Sequence, residues 1–93
     1  MKKIIILNIG ILLSLTALAQ KENKYLRGGN SAYKEKNFEE AELLYRKGIS
    51  KNNKSFEGYF NLANALYKKE QFSDSEVKFN RAIEIAPDKN SKA

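Results

Sequence analysis

"NLANALYKKEQFSDSEVKFNRAIEIAP", residues Asn61–Pro87, holds no histidine, cysteine or glycine, yet its small and large apolar residues return in a fixed order. Tyr59, Leu62, Ala63 and Leu66 fall at three- and four-residue steps, which places them on one face of a helix predicted over residues 56–69. Ser75, Phe79, Ala82 and Ile83 form the same kind of face on a second helix, predicted over 73–86. Ser73 followed by Glu76 fits a capping box, in which each side chain answers a free backbone N–H at the helix start. Pro87 closes this helix, because it has no amide hydrogen and restricts the residue before it.

Moving outward, the pattern repeats at an offset of 34 residues. Asn30 pairs with Asn64, Tyr33 with Tyr67, Lys34 with Lys68, Phe38 with Phe72, Glu42 with Glu76, Tyr45 with Phe79 and Ile49 with Ile83. That period is the length of a helix–turn–helix unit stacked on itself. Two further helices are therefore expected over 23–36 and 39–51, with Asn37 in the turn between them, where a residue tolerant of left-handed backbone is useful. The small residues Ala63, Ser75 and Ala82 let paired backbones approach closely, while Tyr59, Leu62, Leu66 and Phe79 fill the remaining space.

The second unit resembles a tetratricopeptide repeat, the pattern W-x2-L-G-x2-Y, then A-x3-F, then P. Tyr59, Leu62, Ala63, Leu66, Ser75, Phe79 and Pro87 stand at those places in order. The first unit is degenerate. Tyr25, Gly29, Ala41 and Tyr45 agree with the pattern, but Gly28 stands where Leu is expected and Asn53 where Pro is expected. Gly48 occupies a mid-helix place usually held by Ala, a change that costs about 0.5–1 kcal/mol of helix stability. The resemblance implies an all-α fold: a helix–turn–helix α-solenoid of two repeats, 22–55 and 56–89, preceded by a signal segment and followed by a tail, 90–93, or the start of a further repeat. A narrower resemblance, carried by "LRGGNSAYKEKNFEEAELLYRKGI" and "YFNLANALYKKEQFSDSE" behind a leader ending in "ALAQ", is to the BatC-type tetratricopeptide proteins of the Bacteroidetes Bat aerotolerance operon.

In the tetratricopeptide family the first helix of each unit lines a concave groove that receives an extended peptide or a partner helix. The resemblance places Leu26, Asn30, Tyr33 and Lys34 on that face in the first unit, and Phe60, Asn61, Asn64, Tyr67 and Lys68 in the second. Their chemistry suits the role, since amides donate to and accept from a peptide backbone, lysines attract carboxylates and tyrosines combine apolar area with a polar tip. Ordinary packing and helix linking are the alternative for Asn30, Tyr33, Asn64 and Tyr67. Asn30 and Asn61 match two places of the carboxylate clamp of chaperone-binding members. Leu26 stands where that clamp needs Lys and its third repeat is absent, so no working clamp is expected.

The remaining features bound the function. Lys2 and Lys3, the apolar run Ile4–Ala19 and the small-residue ending Ala17-Leu18-Ala19 read as a secretory signal cleaved after Ala19, giving a periplasmic product. An uncleaved inner-membrane anchor is the alternative, against which stand the run's length, short of the ~20 residues a span needs, and the interruptions at Asn8 and Gly10. Cysteine is absent, so stability must come from packing rather than disulfides. The net charge of +6 falls once Lys2 and Lys3 are removed, and the remaining basic and acidic residues alternate as on solvated helix faces, so nucleic acid is not an expected partner. "RGGN" at Arg27–Asn30 lacks the strand and the Lys-Ser/Thr pair of a phosphate loop. Glu39, Glu40 and Glu42 read as solvated surface rather than a metal or acid–base cluster, with no histidine in the chain. No catalytic residue, cofactor or metal is expected. The expected activity is partner binding, with von Willebrand factor A domain membrane proteins implied by the Bat resemblance. The alternative is the N-terminal piece of a longer array with a structural role, and self-association through Ile83 and Ile85 on the last helix is a further expectation.

Overall fold

The computed structural model describes residues 23–87; the expected signal segment, residues 1–19, and tail, residues 90–93, lie outside the described residues. Among the described residues there are four helices and no strand: α1 over residues 23–34, α2 (Phe38–Lys51), α3 (Phe56–Lys68) and α4 (Phe72–Ile85). None of them is long and apolar enough to cross a membrane.

The turns repeat as faithfully as the helices. Lys36 and Glu70, 34 residues apart, both take a left-handed backbone with φ 63°. Each is followed by a residue whose N–H reaches back five positions, Asn37 to the Ala32 carbonyl at 2.9 Å and Gln71 to the Leu66 carbonyl at 2.9 Å. This is the Schellman ending, which satisfies the otherwise orphaned carbonyls of α1 and α3. It corrects the reading of Asn37. That residue has φ −91° and serves as the N-cap of α2, its Oδ1 accepting from the Glu40 N–H at 3.3 Å. The left-handed position falls one residue earlier, which also ends α1 two residues before its expected limit.

The expected Ser73–Glu76 capping box is not formed. Helix α4 starts at Phe72 with Gln71 as its N-cap, so Ser73 already lies inside the first turn. The cause is the preceding turn, because the bond from Gln71 N–H to Leu66 fixes the chain's exit from α3 and starts α4 early. At the other end, Ala86 is extended (φ −62°, ψ 148°), as the residue before a proline should be. Ser55 caps α3 by accepting from the Gly58 N–H at 3.0 Å.

The core joins the two hairpins: Leu26, Ala32, Ala41, Tyr45, Leu62, Ala65 and Leu66 are buried together, with Tyr33 and Ile49 packed against them. Close approach depends on absent side-chain atoms. A Cβ at Gly29 would stand 2.5 Å from Tyr45 Cε1, nearer than the two carbons can sit. A Cβ at Gly48 would stand 3.0 Å from Leu26 Cδ2, so the glycine that weakens α2 as a helix also makes the hollow that Leu26 fills. In the second hairpin Ser75 is 1% exposed and its hydroxyl donates to the Ala63 carbonyl at 2.8 Å, clipping α4 to α3. Ile83, placed by periodicity on the packed face, is instead 70% exposed.

A charged contact ties α2 to the end of α3. Lys69 Nζ lies 2.6 Å from Glu42 and 3.2 Å from Glu39, while Arg46 Nε donates to Glu42 at 2.9 Å. The surface reading of Glu42 is thereby corrected, since its side chain is only 17% exposed; Glu39, at 84%, remains a surface group. Burial alone would raise the Glu42 pKa, but the bonds and charges of Lys69 and Arg46 outweigh it and hold the carboxyl below its usual 4.5. The hydrogen bond to Glu42 in turn raises the Lys69 pKa above 10.5.

Three outcomes are expected. Gly29→Ala forces the Tyr45 ring to move and should destabilise the fold by about 1–3 kcal/mol despite the better helix propensity of alanine, which thermal denaturation will register as a drop of several degrees. Lys36→Gly removes a left-handed non-glycine residue and should raise stability by roughly 0.5–1 kcal/mol in the same assay. Because the Glu42 pKa is depressed on folding, its contribution is present above the unfolded value and is lost as pH falls through the folded one. Glu42→Gln should therefore lower stability at neutral pH by about 1–2 kcal/mol and flatten the acid limb below roughly pH 4.5 in denaturation curves.

Candidate functional site

Helices α1 and α3 each send asparagines from one face, and the turn geometry brings those faces side by side. Asn30 on α1 is the joint. Its Oδ1 accepts from the Tyr45 hydroxyl of α2 at 2.7 Å and from Asn61 Nδ2 of α3 at 3.2 Å. Around this node a concave depression of about 270 Å³ is lined by Asn30, Tyr33, Lys34, Tyr45, Asn61 and Asn64. Five of the nine expected groove residues thus meet at one place.

The other four are distributed differently. Leu26 is 3% exposed and belongs to the core, which removes it from the groove; the hollow over Gly48 draws it inward. Its counterpart Phe60 faces Ala82-bearing α4 instead and stays 42% exposed, stacked on Phe56 (centroids 5.6 Å, interplanar 22°) and edge-on to Phe79 (5.6 Å, 67°). Tyr67 is 57% exposed and lines a separate depression of about 240 Å³ with Phe72, Ser75, Glu76 and Phe79. Lys68 is exposed at the end of α3 and lines neither depression.

Tyr45 is the residue of this site that the sequence reading missed. Its place in the A-x3-F pattern marked it as packing, and its ring is indeed buried; the signal for more was its hydroxyl, since the equivalent residue in the second unit is Phe79. Burial, reinforced by Tyr33 and Glu57, pushes its pKa up to about 12, so the phenol keeps its proton and donates to Asn30. Among the described residues both of these bonds, from the Tyr45 hydroxyl and from the Asn61 amide, are received at Asn30 Oδ1.

Three amides, one ammonium and the phenol ring of Tyr33 can bond a peptide backbone, attract a carboxylate and cover apolar side chains, with the buried Tyr45 holding Asn30 from below. The lining contains no carboxylate, so it offers no acid–base pair. Among the described residues no group of three or more His, Cys, Asp or Glu side chains is placed to hold a metal ion.

No curated protein gives a match to the chain. The family model of the tetratricopeptide repeat matches residues 56–89, the stretch that contains α3 and α4. Over that stretch, well under half of the chain, the protein is similar to a tetratricopeptide repeat.

Proposed function

We propose that the chain is a non-catalytic protein-interaction scaffold that holds an extended peptide or helix of a partner protein in the depression between α1 and α3. The observation that carries this reading is the convergence of Asn30, Asn61 and Asn64 amides with Lys34 and two tyrosines on one concave surface. A tetratricopeptide repeat at 56–89 supports it at the level of class, because such repeats generally serve as protein-binding scaffolds. The first hairpin is read as a degenerate copy of the same repeat, on the strength of the shared turn at Lys36 and Glu70.

The finer reading extends the sequence resemblance. The chain is exported to the periplasm by cleavage after Ala19, touches the membrane only through its leader where that is retained as an inner-membrane anchor, and works in a Bat-type envelope complex with von Willebrand factor A domain proteins. A structural role as the N-terminal part of a longer array is the second reading, favoured by the exposed end face of α4, where Ile83 is 70% exposed.

Two experiments test these readings. Mass spectrometry of the protein secreted by its native host should find an N-terminus at Gln20, and an intact Met1 or Lys2 terminus would overturn export by cleavage. In quantitative pull-downs from envelope extract, Lys34→Glu combined with Asn64→Ala should reduce recovery of the bound partner at least tenfold while circular dichroism stays unchanged, whereas Lys47→Glu on the opposite helix should not. Equal recovery by all three proteins would overturn the groove.

A further inference from the structure

The contacts between helices settle which residues share an end of the bundle. A Cβ at Gly48 would meet Leu26 and Tyr25, one at Gly58 would meet Ile49, and Arg81 lies over the Tyr59 ring at 5.7 Å. The start of α1, the end of α2, the start of α3 and the end of α4 therefore lie together. Lys69 with Glu39, and Tyr67 with Phe72, mark the opposite end, and the crossing of Gly29 with Tyr45 stands at mid-height.

Acidic and basic residues alternate along the chain, but folding sorts them along this axis. Arg46 and Glu76 stand level with the crossing. Of the other eleven lysines and arginines in residues 23–87, seven lie towards the start of α1, against two of the other eight carboxylates, Glu57 and Glu84. Arg81 bonds Glu84 there, while Lys24, Arg27, Lys47, Lys51, Lys54 and Lys78 form no ion pair among the described residues. All six are exposed except the half-buried Lys78. Helix dipoles do not explain the sorting. They favour cations in the last turns of α2 and α4, yet the last turn of α4 has none, and Lys24 and Arg27 stand at the start of α1, where anions are favoured.

We infer that this basic end docks on a bilayer surface rich in anionic phospholipids. The course of the chain selects a lipid surface over an acidic protein. Asn23 opens α1 at the basic end, and the apolar run, residues 4–19, stops four positions before it, at most about 14 Å of chain away. A bilayer that holds this run therefore lies beside the six unpaired cations, each of which adds to the attraction of an anionic leaflet. The far end, with six carboxylates against four cations, is turned away from it. This surface is separate from the groove, and it extends the membrane contact proposed above from the leader to the folded body.

The test uses the full chain with vesicles of phosphatidylcholine alone or mixed with phosphatidylglycerol in about a three-to-one ratio. The apolar run enters both kinds, so the reading is the ratio of the two partition coefficients from sedimentation. That ratio should be at least tenfold and should collapse in molar salt. Lys47→Glu combined with Lys51→Glu should lower it at least fivefold, and Lys54→Glu, in the loop outside any helix, should lower it as well. Lys36→Glu combined with Lys68→Glu, an equal change of charge at the far end, should not. All five positions are exposed, so circular dichroism should show the variants folded. A ratio near one overturns the inference, as does equal loss in the near-end and far-end variants. Capture of the chain by soluble polyglutamate with no preference for the anionic vesicles would overturn it in favour of an acidic protein.

Discussion

The ring of Tyr45 occupies the space that a side chain at position 29 would fill, and most of the first hairpin follows from that exclusion. With no Cβ on Gly29, α1 and α2 close upon one another with the aromatic ring between them, buried to 2% exposure. Gly48 does the same for Leu26 farther along. The second hairpin reaches a similar closeness by other means, with Ala63 at 0% exposure and the Ser75 hydroxyl bonded to its carbonyl. A small chain without disulfides has little stability to spare, so dense packing at a few crossing points matters more here than in a larger domain.

The same ring carries the core's order to the surface. Tyr45 is anchored by packing, its hydroxyl holds Asn30, and Asn30 accepts from Asn61, so one network fixes the relation of three helices at the floor of the depression. A polar network whose members are satisfied from within the protein is a rigid platform, and a rigid platform spends less entropy when a guest settles upon it. Among the described residues no buried side-chain nitrogen or oxygen is left unbonded.

Charge plays a parallel part at the other edge. Lys69, one residue past the last turn of α3, reaches across to Glu42 and Glu39 on α2 and fixes the angle at which the second hairpin meets the first. The contact is made between hairpins rather than within a helix, so it locks relative placement, and the left-handed turn at Glu70 directly after it sets where α4 departs. Packing, polar network and ion pair therefore all converge on α3, the helix that both hairpins share as a neighbour.

The helices, their number and their two-fold repetition were legible in the chain because they rest on local periodicity and on a 34-residue correspondence that any reader can align. The groove was legible in part: Asn30, Tyr33, Lys34, Asn61 and Asn64 stand on predictable helix faces, and face is a property of spacing. Leu26 shared that face by spacing and yet went inward, because whether a hollow exists above Gly48 depends on how two helices cross. Asn37 and Ser73 had the right chemistry for their expected roles, but the Schellman turns at Lys36 and Glu70 placed the left-handed residue one position before Asn37 and the α4 N-cap two positions before Ser73. The pairing of Glu42 with Lys69, the hydroxyl of Tyr45 beneath Asn30 and the bare face at Ile83 join or separate residues far apart in the chain. The sequence alone determined which side each residue would take on its own helix; only the tertiary structure decided what stood opposite, because that is set by the distance and angle between helices and by which neighbour is present to cover them.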